Sequence, residues 1–219
     1  MKRILFFTTI ISILVLAGCA KNISNNNTAN SANSLWPLKQ GNNWVYQDSI
    51  YDSTGAVLQT YSDSTFISAN TLNNSGITFF AYNDSLGWFG AQSYIAVDAT
   101  NTSLYGLDSS TAVSPYLFFQ SASYDGYVIG SNQDYSNPAC IGVDNLYGYA
   151  STYNINGYTC YKSSDNITDC NGNVIYADVY YVSPGVGVVR IEEYSPVPNS
   201  TTNALYLDYS QTLMSYKIN

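Results

Sequence analysis

Glu192 and Glu193 are the only glutamates in the chain, and they stand side by side among fifteen acidic residues. Glycoside hydrolysis needs two carboxyl groups roughly 5 to 9.5 Å apart. If "RIEEY" is a strand, its neighbours alternate faces, so these two glutamates cannot form such a pair. Arg190 and Glu192 then share a face and form a solvated ion pair. The chain holds no histidine, which removes Ser-His-Asp and Cys-His machinery and imidazole metal ligands. No Ser-x-x-Lys, nucleophile elbow or phosphate-binding Gly-Lys loop occurs. Neither an enzyme nor a cofactor is expected.

Other residues invite narrower readings. "DNITDCNGN" gathers Asp165, Asp169, Asn171 and Asn173, all hard oxygen donors suited to calcium. The spacing departs from an EF-hand loop, so the expectation is an Asx-rich turn and no metal. Tyr124 with Tyr127, and Tyr147 with Tyr149, could offer rings to a sugar. On strands such rings are more often core or cross-strand pairs. The Asp-Ser-Ile, Asp-Ser-Thr and Asp-Ser-Leu stretches starting at Asp48, Asp52, Asp63 and Asp84 are similar to the O-glycan acceptor motif of some Bacteroidetes envelope proteins.

The N-terminus sets the location. Met1-Lys2-Arg3 is a basic head, and an apolar run follows from Ile4 to about Leu16. A membrane-spanning helix needs about 20 apolar residues, so the run is too short and reads as a signal peptide. Leu16-Ala17-Gly18-Cys19 resembles the lipobox of bacterial lipoproteins. The resemblance implies cleavage before Cys19 and acylation of Cys19 with palmitate-type chains. Each buried CH₂ adds about 0.8 kcal/mol, and stable anchoring takes about two chains. Ala20 in place of aspartate implies the outer membrane by the same resemblance, on either face. Residues 1–18 are then the signal, 19–34 the lipidated cysteine and a polar tether, and 35–219 a single domain.

Three cysteines remain: Cys140, Cys160 and Cys170. An oxidising envelope permits a disulfide, and three thiols allow three pairings. Cys160 in the strand "GYTCYK" and Cys170 in the turn "TDCNGNV" make Cys160–Cys170 the first expectation, with Cys140 as alternative partner.

Loss of Lys2 and Arg3 with the signal reduces seven basic side chains to five against fifteen acidic ones. A nucleic-acid site needs a basic stripe, which this chain lacks. Its acidity also disfavours docking on anionic headgroups and keeps an exposed protein soluble.

The elements that position these residues are strands. The chain carries 22 tyrosines, which suit pleated, half-buried surfaces, and its Asn, Ser and Gly suit turns. Hairpin turns are expected at Asp52–Gly55, Ser85–Gly87, Asn156-Gly157 and around Pro184-Gly185, with a last strand over 204–218. The expected fold is all-β: one antiparallel meander forming a curved sheet, half-barrel or sandwich, with little or no helix.

"WPLKQGNNWVY" (36–46) and "YYVSPGVGVV" (180–189) resemble two patches of uncharacterised TapB-like envelope lipoprotein domains. Those are distantly similar to the half-barrels of LolA/LolB-type carriers. The resemblance supplies no catalytic residues. Trp36 and Trp44 would close one end of the core. The expected role is a non-catalytic envelope lipoprotein for binding or surface structure, anchored to the membrane through Cys19. On a solidly packed sheet its partner would be an envelope protein or a glycan. The alternative is a carrier of a lipid or lipoprotein acyl chain, with "YLFFQ" (116–120) and "LYLDYSQTLM" (205–214) lining a groove. A glycosidase using Asp and Glu ranks below both.

Overall fold

The computed structural model describes residues 34–84, 93–108, 111, 114–134, 139–200 and 202–219. Cys19, the expected signal and nearly all of the tether lie outside them, as does the Ser85–Gly87 turn.

Alternating apolar and polar residues with frequent turns build twelve antiparallel strands. They are β1 (Asn43–Tyr51), β2 (Val57–Asn74), β3 (Ile77–Asp84), β4 (Ser93–Val97), β5 (Ser103–Leu107) and β6 (Tyr116–Gln120), then β7 (Tyr127–Asp134), β8 (Gly142–Ile155), β9 (Tyr158–Thr168), β10 (Val174–Ser183), β11 (Gly187–Pro196) and β12 (Leu205–Lys217). No helix occurs among the described residues. All twelve strands share one sheet in the order β6-β5-β4-β3-β2-β1-β12-β11-β10-β9-β8-β7. The all-β expectation holds, with one refinement. The first and last strands pair in the middle, and β6 and β7 end at opposite edges. The sheet curls into a nearly closed barrel, so that β6 lies against β8 and β9. There the Ser163 hydroxyl donates to the Phe118 carbonyl at 3.0 Å, and the Phe118 and Tyr180 rings meet at 5.5 Å.

Local chemistry fixes the turns. Asn156 and Gly157 both take positive φ, +52° and +86°, as a tight two-residue hairpin turn requires. Ser75 and Gly76 do the same at +52° and +83°, ending β2 where sequence reading marked no turn. In the β1–β2 turn the Asp52 carboxylate accepts from the Thr54 and Ala56 amides at 2.8 and 3.0 Å.

The two patches quoted for the family resemblance pack against each other. Trp44 Nε1 donates to the Val186 carbonyl at 2.7 Å, and the Tyr46 hydroxyl donates to the Val188 carbonyl at 3.0 Å. Trp36 and Trp44 are fully buried and meet edge to face at 5.6 Å. Both belong to the main core cluster.

The cystine differs from the first expectation. Cys140 and Cys170 are bonded with Cα atoms 5.1 Å apart, and Cys160 is a buried thiol. The reason is strand geometry. Cys160 lies near the start of β9 and Cys170 just beyond its end. Eight intervening residues of strand, at about 3.3 Å each, keep them roughly 26 Å apart along it. Val143 pairs with Thr168, which brings Cys140 beside Cys170.

Candidate functional site: an acidic cavity inside the barrel

Three strand rows build the site. Asn132 on β7, Asp144 on β8, Ile167 on β9 and Tyr176 on β10 form the first row by register. Gly130, Leu146, Asp165, Asp178, Glu193 and Tyr209 form the second, one residue from each strand of β7 to β12. Gly148, Ser163, Tyr180 and Ile191 form the third. Residues in one row share a face because side chains alternate with period two. Pro115 and the β6 residues Tyr116, Leu117 and Phe118 face these rows from the other edge of the sheet. Between them lies a cavity of about 680 Å³.

Four carboxyl groups line it: Asp144, Asp165, Asp178 and Glu193. The tyrosines Tyr116, Tyr176 and Tyr180 join them. The Tyr176 hydroxyl donates to Glu193 Oε2 at 3.3 Å. Asp144 Oδ1 and Asp178 Oδ1 are buried and accept no hydrogen bond. Burial shifts the acids in one direction. It pushes Asp178 up to about 6 and Glu193 up to about 7, with Asp178 adding to the latter. Asp165 rises well above the usual carboxylate range, first from burial, then from its hydrogen bond and repulsion with Asp144. Burial likewise raises Tyr116, Tyr176 and Tyr180. These are desolvated acids facing an open space, the arrangement that marks functional sites.

The residues singled out in the sequence fall in different places. Glu193 faces the cavity while Glu192 faces outward, as alternation requires. Glu192 pairs with Arg190 at 2.7 Å and accepts from the Tyr194 hydroxyl at 3.0 Å. Asp165 belongs to the cavity and leaves the Asx cluster. Asp169 holds the β9–β10 turn, accepting from the Asn171 and Asn173 amides, each at 2.9 Å. Tyr124 and Tyr127 meet edge to face at 5.2 Å and stay exposed. Tyr149 lies on the outer face beneath Lys162, whose Nζ is 4.3 Å from the ring centre. Among the Asp-Ser stretches, Asp48 and Asp63 are sealed from solvent, and the stretch at Asp52 occupies an exposed turn. Of the two segments expected to line a groove, "YLFFQ" contributes Tyr116, Leu117 and Phe118 to the cavity wall, and "LYLDYSQTLM" contributes no lining residue.

Asp144 and Asp178 were not singled out by sequence. Tyr176-x-Asp178-x-Tyr180 carries the signal that could have found Asp178. A strand with one core-facing side places an acid between two large rings on a single face, and only a site or an ion pair tolerates that.

Fold and site together define a nearly closed antiparallel β-barrel with an acidic, tyrosine-lined interior. No family model matches the chain, and no curated protein matches it. Among solved structures it is similar to one from Bacteroides fragilis described as an exported protein with a YmcC-like fold. That match has 12% identity and a TM-score of 0.41, covering 85% of this chain and all of the other. It is also similar to one from Parabacteroides distasonis described as a lipoprotein. There the identity is 15% and the TM-score 0.42, covering 85% of this chain and 99% of the other. Likenesses this distant leave the role of this chain to its own residues.

Proposed function

We propose that this chain is a lipid-anchored protein of the bacterial outer membrane that takes a hydrophilic ligand into its barrel and does not transform it. Residues 16–19 support the anchor at Cys19. The cavity of about 680 Å³ carries the ligand reading, since small-molecule sites begin at roughly 300 Å³. A solidly packed sheet used only through its outer surface does not account for that volume. An acyl chain fits the volume but not the chemistry. It would cover four carboxyl groups with hydrocarbon, which offers them no hydrogen bond.

Two experiments test the two halves. Fatty-acid labelling of cells is expected to mark the wild type and spare Cys19→Ser; equal labelling ends the anchor. For the cavity, Gly130 offers a clean block. A Cβ there meets no atom within 4 Å, and the residue lines the cavity. Gly130→Phe is expected to fold and to abolish thermal stabilisation by any hydrophilic hit from a metabolite library. Hits that stabilise both proteins equally, or turnover of a glycan abolished by Asp178→Asn, would contradict the reading.

A further inference from the structure

We propose that the ligand is an organic cation carrying two or more ammonium or guanidinium groups, held between the carboxylates of β8 to β11 and released as pH falls. This rests on the cavity being the binding site.

The register carries the inference. Asp165, Asp178 and Glu193 stand directly opposite one another on three consecutive strands. Opposed like charges destabilise a sheet, so Asp165 and Asp178 call for a counter-charge once they ionise. The described residues do not supply one. Lys162 lies over Tyr149 on the outer face, and Arg190 pairs with Glu192 there. Lys39 donates to the Asn219 carbonyl at 3.2 Å, and Lys217 is exposed. None of the four lines the cavity.

Another acid lies beyond the cavity wall. Tyr209 stands opposite Glu193, and its hydroxyl donates to Asp48 Oδ1 at 2.7 Å. Asp48 is fully buried and also takes a hydrogen bond from the Gln211 side chain. Two features favour an organic cation over a metal ion. No three Asp, Glu or Cys side chains converge on one point among the described residues, and the volume far exceeds one ion. Tyr116, Tyr176 and Tyr180 also line the cavity, and aromatic rings attract ammonium groups.

The release follows from which groups face the ligand. They are Asp144 on β8, Asp165 on β9, Tyr176, Asp178 and Tyr180 on β10, Glu193 on β11 and Tyr116 on β6, with Asp108 acting on Tyr116. No described cation stands among them. Burial holds the acids protonated to higher pH than usual, so a cation must displace protons, and acidification returns them.

The test is isothermal titration of the full-length protein in detergent with spermidine, at pH 8 and pH 5. Binding is expected at pH 8, at least ten-fold weaker at pH 5. In buffers of different ionisation enthalpy at pH 6.5, the heats should differ by the protons released. Asp178→Asn should weaken binding at least ten-fold, Gly130→Phe should abolish it, and Lys162→Gln on the outer face should leave it unchanged. Circular dichroism verifies each fold, and Gly130→Leu replaces the phenylalanine if that variant fails. Equal affinity at both pH values, or indifference to Asp178→Asn, overturns the inference. If spermidine fails while a neutral ligand binds and Gly130→Phe blocks it, the cation is wrong and the cavity stands. Spermidine binding that survives Gly130→Phe sinks both.

Discussion

Asp178 faces Glu193 directly across β10 and β11, inside the barrel, and both carboxyl groups are shifted upward by burial. Their ordinary values are 3.8 and 4.5, against about 6 and about 7 in the fold. Between those limits the folded state holds more protons than the unfolded one, so stability falls as pH rises through the window. Asp52, Asp125 and Asp169 are held low by turn hydrogen bonds. They act in the opposite sense, but only below 3.8. The unliganded protein should therefore melt at higher temperature at pH 5 than at pH 8. Asp178→Asn should flatten that difference. A melting temperature that rises from pH 5 to pH 8 would contradict the burial of these acids.

Gly187 sits under the Trp36 indole. A Cβ there would lie 2.1 Å from Trp36 Cδ1, and φ is +102°. Overpacking costs about 1–3 kcal/mol, and the left-handed backbone adds about 1–2 kcal/mol. Gly187→Ala should lose about 3 kcal/mol, a fall in melting temperature of about 6–12 °C at this size. Chemical denaturation of the two proteins measures it. A loss under about 1 kcal/mol would show that the Trp36 ring is free to move aside.

The Cys140–Cys170 bond closes a segment with a sequence separation of 30. A loop of that length is worth about 3–4 kcal/mol by the chain-entropy argument. Cys140→Ser with Cys170→Ser should destabilise the domain by that order. Cys160 is buried and its thiol pushed up to about 11 by burial. It should resist alkylation in the native protein and react only after unfolding. Peptide mapping after alkylation reads both; a Cys160-containing disulfide would refute the pairing.

Much of the fold is legible because its signals are local. Asn156-Gly157 and Pro184-Gly185 announce their turns by residue type, and "ALYLDYSQTLMSYKI" gives the last strand almost to the residue. The closure is not legible. Pairing β1 with β12, and laying β6 against β8 and β9, are long-range relationships that no window of sequence contains. The same holds for the cystine, decided by the Val143–Thr168 register. The site divides along this line. Glu193 and Asp165 stand out by residue type, but the sequence sets each beside its chain neighbours, Glu192 and Asp169. Their structural neighbours are Asp178 and Asp144, which reach them only once the strands are paired.

The ligand site inside the barrel is tested most directly by native mass spectrometry of the protein extracted gently from envelopes, wild type beside Gly130→Phe. The wild type should carry a small non-covalent adduct of hydrophilic mass that acid releases, and Gly130→Phe should carry none. An adduct of fatty-acid or phospholipid mass, or one that Gly130→Phe retains, would contradict it.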